Sequence, residues 1–212
     1  MKWTTVILAV SMLVVTTASA DVITVTATGQ VIFNGIGDPP LGGVGAGDTV
    51  EMSFEVDSDV FLDGVPGDTR GYEIDQSSFS LTFDTPASVG LLNPFPGGET
   101  PYFTLVDGFP VSDGFYVSTS PFSPGGVPLE QEPFSTNLEI GYEGDTLSSL
   151  DILDALGTYD FDGLTSFGFT IWSVFPDNVA MEMDFVQMTI VPEPTTFGLL
   201  AALGLLALGG RR

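Results

Sequence analysis

The stretch TVEMSFEVD, residues 49–57, alternates polar and apolar side chains at every position. Its even-numbered residues, from Val50 to Val56, are apolar, and its odd-numbered residues are polar or acidic. Successive side chains of an extended chain point to opposite faces, so this period of two predicts a strand with one face in a core and the other in water. The stretch therefore indicates a β-sheet protein.

Other segments of the chain show similar strand-like patterns: 22–33, 77–85, 102–106, 115–119, 134–142, 167–174 and 180–191. The segments between them are rich in Gly, Pro and Asp, as in GDPPLGG (37–43) and SPFSPGGVPLE (120–130), which is typical of turns and loops. Many short strands joined by such loops favour antiparallel pairing over a parallel α/β sheet. The sequence predicts an all-β body over residues 21–190, an antiparallel β-sandwich of jelly-roll-like form.

Two segments depart from simple alternation. In segment 180–191 the apolar positions change parity between Phe185 and Val186, which predicts either a β-bulge or burial of both strand faces. Residues 147–156 carry leucines near one face at helical spacing, and Gly157 follows them. This second pattern predicts one short helix that ends at the glycine.

The body is strongly acidic. Residues 21–191 hold 27 of the 28 acidic residues of the chain and a single base, Arg70, which gives them a formal charge of −26. A phosphate backbone is bound mainly through Lys and Arg, so nucleic acid is excluded as a partner. Multivalent cations and cationic polymers are compatible with this charge, although an acidic solvated exterior is the simpler interpretation.

Clustered aspartates suggest a cation site. Asp57, Asp59, Asp63 and Asp68 fall within twelve residues, and Ca²⁺ prefers several carboxylate and carbonyl oxygens as ligands. A second cluster, DFDG at 160–163, is similar. The spacing is not that of an EF-hand loop, and Asp-rich turns bonded to their own backbone are the alternative interpretation. Calcium is the single cofactor candidate.

Catalysis has little support in the sequence. The chain has no Cys and no His, and it lacks a G-x-S-x-G elbow, a P-loop and an H-E-x-x-H helix. Paired carboxylates can hydrolyse glycosides, but acidic residues are too abundant here for any one pair to stand out. The sequence therefore predicts a protein that is not an enzyme, with a glycosidase as the remote alternative.

The N-terminal residues 1–20 have the pattern of a secretory signal peptide. Lys2 precedes an apolar run, and Ala18-Ser19-Ala20 is a small-x-small cleavage site. We expect cleavage after Ala20 and export of the body across the inner membrane. A lasting membrane anchor is the alternative, but the apolar run is short and a good cleavage site follows it.

The C-terminal residues 191–212 combine three features: Pro192-Glu193-Pro194, an apolar tract at about residues 195–210, and Arg211-Arg212 at the end. The tract predicts a single transmembrane helix of about 24 Å, which is somewhat short of the ~30 Å hydrocarbon core. Arginines that flank such a tract stay on the cytoplasmic side. A permanent anchor and a tail that is removed after export both remain open.

These features, in this order and position, resemble the PEP-CTERM protein-sorting signal of Gram-negative-type bacteria, a tail also catalogued as the C-terminal domain of ice-binding proteins. The resemblance implies an exosortase that recognises the tail and cleaves near Pro192-Glu193-Pro194. It also implies a place at the cell surface or in the extracellular matrix, in association with exopolysaccharide and biofilm. The body is loosely similar to short PEP-CTERM proteins through residues 47–54 and 160–163, and this similarity carries no chemistry.

Together these patterns predict an exported surface or matrix protein with a structural or binding role. Its expected partners are the secretion machinery, an exosortase, the membrane and exopolysaccharide. A lectin-like, calcium-assisted carbohydrate-binding module is the alternative.

Overall fold

The computed structural model describes residues 21–108, 112–173 and 178–193. The predicted signal peptide with Ala18 and Ala20 lies outside these residues. So do Pro194 and the predicted transmembrane helix with Arg211 and Arg212. Within the described ranges, no helix has the length and apolar character needed to cross a membrane.

Twelve strands make up most of the described chain. They are β1 (Val22–Asn34), β2 (Thr49–Asp63), β3 (Thr69–Ile74), β4 (Ser80–Phe83), β5 (Ser88–Val89), β6 (Tyr102–Val106), β7 (Asp113–Ser118), β8 (Val127–Pro128), β9 (Ser135–Tyr142), β10 (Gly157–Tyr159), β11 (Leu164–Trp172) and β12 (Ala180–Pro192). One short 3-10 turn, Leu41–Gly43, follows β1. Each predicted strand segment overlaps one of these strands.

Eight of the strands close into a barrel. They pair in the order β1, β12, β11, β9, β7, β6, β3 and β2, and β2 pairs with β1 in turn. β1 closes the ring because it pairs with β12 along one edge and with β2 along the other. The predicted antiparallel all-β fold is confirmed. The predicted sandwich is wrong, because the two ends of the sheet join at β1 and do not stack as separate layers.

The remaining strands extend the barrel wall. β4 pairs with β2 beyond the β3 pairing, and β5 pairs with β4. β8 pairs with β9, and β10 pairs with β12. These short strands add edges to the sheet and leave the closed ring intact.

The barrel interior is a packed apolar core. Val50, Met52, Phe54 and Val56 are all buried, which confirms the inward face predicted from residues 49–57. The Phe103 ring lies 5.5 Å from that of Phe54 and 5.7 Å from that of Phe115, measured between centroids. Such aromatic pairs contribute about 0.5–1.5 kcal/mol beyond the burial of their area.

β12 contains the bulge that its sequence predicted. Thr28 of β1 lies opposite Gln187, and the next residue, Gly29, lies opposite Phe185. Val186 is the extra residue and is exposed. Phe185 and Met188 therefore both face the core, although their positions differ in parity.

The predicted helix at residues 147–156 is wrong. The segment forms turns that lead into β10, without an α-helix. Ser149 Oγ accepts a hydrogen bond from Asp151 N, and Asp151 Oδ1 accepts one from Leu153 N. Local bonds of this kind compete with the helical ladder. Tertiary contacts also hold the segment, since Tyr72 OH donates to Leu150 O and accepts from Ile152 N.

Candidate functional site

An open cavity of about 450 Å³ lies on the outside of the barrel, between β7 and β9 and the loop of residues 119–126. We call it the outer groove. Phe115 and Ile140 point into the core, so alternate residues of the same strands point outward to the groove. Its lining includes Tyr116, Phe122, Ser123, Glu139, Gly141 and Ser166.

Glycines make the groove deep. Gly114 of β7 lies directly opposite Gly141 of β9, and both line the cavity. A Cβ atom at Gly141 would lie 2.7 Å from Ser166 Oγ, so a larger residue would displace this serine. The missing side chains leave the backbone of two neighbouring strands as the floor.

The 119–126 loop is fastened over the sheet. Thr69 Oγ1 donates a hydrogen bond to Pro121 O over 2.8 Å, and Ser118 Oγ accepts one from Ser120 N. The loop also passes close to β3, since a Cβ atom at Gly71 would lie 2.7 Å from Pro121 Cβ. The groove therefore has a fixed wall, from which Phe122 projects with 56% of its surface exposed.

The groove has uncharged polar groups and one exposed acid. Burial raises the pKa of Tyr116 to about 12, so this residue is a neutral phenol at physiological pH. Tyr116 lies opposite Thr104 of β6, which is outside the groove lining; both hydroxyls are buried, and neither has a hydrogen bond of good geometry. Of the two acids that line the groove, Glu139 is exposed and Asp113 is buried.

A group of three carboxylates lies near one end of the groove. Ligand oxygens of Asp107, Asp113 and Asp145 all lie within 4.8 Å of one another. Asp113 is buried, and its two oxygens accept hydrogen bonds from Gly108 N and Leu147 N. Burial, followed by the charges of Asp113, Asp145 and Asp68, raises the pKa of Asp107. Hard cations such as Ca²⁺ bind this type of oxygen cluster.

The structure does not bring the four predicted calcium ligands together. Asp57 Oδ1 accepts from Asp59 N in a local turn, and Asp63 forms an ion pair of 2.6 Å with Arg70. Asp68 lies instead beside Asp107, to which its carbonyl oxygen is hydrogen-bonded. Calcium binding by these four residues stays a prediction. Sequence reasoning missed this group because Asp145 is distant in the chain from Asp107 and Asp113.

The second acidic cluster is also a turn in the structure. Asp160 Oδ1 accepts from Asp162 N, and the Asp160 carbonyl accepts from Tyr142 OH. These bonds match the alternative interpretation of an Asp-rich turn.

The C-terminal Pro-Glu-Pro begins inside the barrel wall. β12 continues through Val191 and Pro192, which lie opposite Thr24 and Ile23 of β1. Glu193 N then donates a hydrogen bond of 2.8 Å to Val22 O. Two residues of the predicted sorting motif are thus held by the first strand.

Acidic residues surround this junction. Glu55, Asp57, Glu73 and Asp75 line a cavity of about 440 Å³ that also touches Val22. The pKa of Glu55 is raised, first by burial and then by Glu193 and Asp75.

No curated protein and no solved structure matches the chain. One family model, described as the PEP-CTERM protein-sorting motif, matches residues 191–212. The match covers the Pro-Glu-Pro, the apolar tract and the terminal arginines. The chain therefore carries a PEP-CTERM protein-sorting motif, which supports its export and its sorting to the cell surface by an exosortase.

Proposed function

We propose that this chain is a surface-sorted, non-catalytic protein whose barrel binds polysaccharide in the extracellular matrix. The outer groove is the observation that carries this function. It combines a backbone floor, neutral hydroxyl groups and one exposed aromatic ring, next to a fixed loop. Sugars are bound by groups of these kinds, since their hydroxyls exchange hydrogen bonds and their apolar faces pack on rings.

The charge of the groove favours a neutral glycan. No basic side chain is present among its lining residues, and Arg70, the single base of residues 21–191, is already paired with Asp63. An anionic ligand would meet Glu139 and the field of an acidic body without a compensating cation. The proposed ligand is therefore an uncharged stretch of polysaccharide.

A binding role fits these groups better than hydrolysis. A glycosidase needs two carboxyl groups free to act on one bond. The groove offers Asp113 and Glu139, but both oxygens of Asp113 already hold backbone amides. This arrangement supports a structural role for Asp113 and leaves Glu139 as the one free acid among the groove's lining residues.

Phe122→Ala tests the binding role. The isolated surface protein is titrated by calorimetry with neutral extracellular polysaccharide from the producing bacterium. We expect Phe122→Ala to weaken binding about tenfold, because the variant loses a ring that packs on sugar. Phe161→Ala is the matched control, because Phe161 is an equally exposed phenylalanine (56%) outside the groove lining. Equal affinities for wild type and Phe122→Ala would contradict the groove as the binding site.

Calcium assistance is the second candidate function. The cluster of Asp107, Asp113 and Asp145 favours it, because Asp113 also lines the groove. The same titration in calcium and in chelator decides between the two modes. An affinity that is equal in both buffers removes the calcium-assisted alternative.

Sorting is tested separately by mass spectrometry of the cell-surface protein. We expect a mature chain without Arg212, because the family match implies an exosortase as the processing partner. A surface form that keeps Arg212 would instead establish a permanent C-terminal anchor.

A further inference from the structure

We infer that the barrel itself fixes where the sorting motif can be cut: β1 retains Val191 to Glu193, and the processed bond lies on the C-terminal side of Glu193. This inference rests on the proposed processing by an exosortase. It states where the chain is cleaved and explains this position by the pairing of the motif with β1.

The pairing is continuous up to Glu193. Val191 lies opposite Thr24 and Pro192 opposite Ile23, and the amide of Glu193 donates to Val22 O over 2.8 Å. The motif therefore does not start as a free linker. Its first half is the end of the last barrel strand.

A peptidase needs the residues on both sides of the scissile bond in an extended and accessible form. Enzymes that read extended peptides usually supply main-chain hydrogen bonds of their own, as in β-strand addition. The main-chain groups of Val191 and the amide of Glu193 face β1, whereas Pro192 between them has no N–H and its carbonyl points away from β1. Because this proline is held between two bonded residues, cleavage within Val191 to Glu193 would first require local opening. Cleavage on the C-terminal side of Glu193 would leave this pairing with β1 intact.

The chemistry of the cut is compatible with this position. Peptide hydrolysis breaks one C–N bond and adds water, which leaves a carboxylate on the body and an amine on the released tail. Transfer to an amine acceptor breaks the same bond and joins the acyl group to the acceptor nitrogen. In both cases the body keeps Glu193.

The carboxyl group of Glu193 also bears on the strength of the junction. Its negative charge acts on Glu55 of β2, the strand on the other side of β1, and helps to raise the pKa of Glu55 after the larger effect of burial. Asp75 adds a further negative charge to Glu55. These like charges oppose the docking of Glu193, whereas the bond from its amide to Val22 O favours it.

The first test is the C-terminal residue of the processed protein. Protein isolated from the cell surface of the producing bacterium is digested, and its C-terminal peptide is sequenced by mass spectrometry. We expect the chain to end at Glu193 or later. An end at Pro192 or earlier overturns the inference while leaving exosortase sorting intact. A chain that keeps Arg212 contradicts the processing, and the docking of Glu193 is then judged by the next measurement.

The second test is hydrogen exchange at the Glu193 amide in the same surface protein. We expect this amide to be protected, because it is bonded to Val22 O. Glu55→Gln should slow its exchange about threefold, since the change removes a repulsion and adds a donor. Glu51→Gln is the matched control on the outer face of the same strand, away from Glu193. Exchange of wild-type Glu193 at the random-coil rate would overturn the docking.

A crosslink tests whether the strand must open before the cut. The chain has no cysteine, so Thr24→Cys with Val191→Cys offers one unambiguous disulfide between opposed residues. Directly opposed antiparallel residues have Cα atoms about 4.5–5.5 Å apart, which a disulfide can span. We expect the crosslinked chain to be processed like each single-cysteine variant. Processing that fails in the crosslinked chain alone would show that β12 must leave β1 first.

Discussion

Phe103 lies at the centre of the core, where its ring contacts those of Phe54 and Phe115 and no part of the side chain is exposed. We predict that Phe103→Ala lowers the free energy of unfolding by about 3–5 kcal/mol, because it removes buried area and leaves a cavity. Urea unfolding of both proteins measures the difference. Phe122→Ala serves as the control, since an exposed phenylalanine should change stability by less than about 0.5 kcal/mol.

Asp107 is placed among other acids at a cost to stability. The pKa of Asp107 is raised in the folded state, so the folded protein binds the proton of this carboxyl group more tightly than the unfolded chain does. The stabilisation that comes from this proton is lost as pH rises through the folded pKa. We predict that Asp107→Asn raises the free energy of unfolding by about 0.5 kcal/mol at neutral pH in chelator. The gain should vanish at acidic pH. Thermal melts across pH measure this.

The effect of calcium on the Tm distinguishes a cation site at Asp107, Asp113 and Asp145 from an empty acidic cluster. If Asp107, Asp113 and Asp145 share an ion, calcium raises the Tm of the wild type and has a smaller effect on Asp107→Asn. Glu143→Gln, an exposed acid outside the three, is the control. A wild-type Tm that calcium leaves unchanged argues for an empty acidic cluster.

Sequence patterns predicted which face of a strand is buried, but they did not predict the group of three carboxylates. The apolar positions of residues 49–57 are buried because alternation alone determines which face a side chain takes. The carboxylates of Asp107, Asp113 and Asp145 meet through the β6–β7 connection and a loop after β9. Their proximity depends on pairing between distant segments, which no local spacing encodes.

At the scale of elements, the bulge at Val186 allows β12 to keep two apolar runs of different parity in one core. We predict that deletion of Val186 prevents folding or costs more than about 4 kcal/mol, because a one-residue shift turns Met188 and Ile190 outward. Far-UV circular dichroism and urea unfolding measure the loss. Val186→Thr, which keeps the residue count, should be close to wild type. A stable deletion variant would show that the register is not set here.

The presence of the strands was predictable from the sequence, whereas the lengths of several strands and the turns at residues 147–156 were not. Segment 102–106 coincides with β6, because Gly and Pro residues bound a simple alternating run. β2 continues to Asp63 although its residues from Phe61 onward are exposed, because β3 pairs with them. The leucines of residues 147–156 had helical spacing, but backbone amides of the segment donate hydrogen bonds to the side chains of Ser149, Asp151 and Tyr72, and these bonds hold the segment in turns.

At the scale of the molecule, the high net charge opposes the folded state. A formal charge of −26 over residues 21–191 repels itself in the compact state. We predict that sodium chloride raises the Tm by several degrees between about 0.01 M and 0.15 M, as the Debye length falls from about 30 Å to about 8 Å. Melts with sucrose in place of salt provide the control for general solvent effects. A flat Tm against salt would show that the charges are already too dispersed to matter.

The alternation patterns in the sequence could not predict that the sheet closes into a barrel. Alternation along a strand is the same in a sandwich and in a barrel, since both have one apolar face. The barrel depends on β1 pairing with both β2 and β12, and in this structure it pairs with both. The tail was different, because its order of Pro-Glu-Pro, apolar tract and arginines is a local pattern that the family model also recognises.

The bond between Glu193 and Val22 has a consequence for how the chain can be rearranged. It places the two ends of the body side by side, with Asp21 held by Ser58 next to the same point. Chains with neighbouring ends tolerate circular permutation. A short linker from Glu193 to Asp21 would turn β12 and β1 into a hairpin, and new ends would fit at the exposed Gly97-Gly98. Such a permutant would keep the barrel while separating it from the predicted signal peptide and from the PEP-CTERM sorting motif.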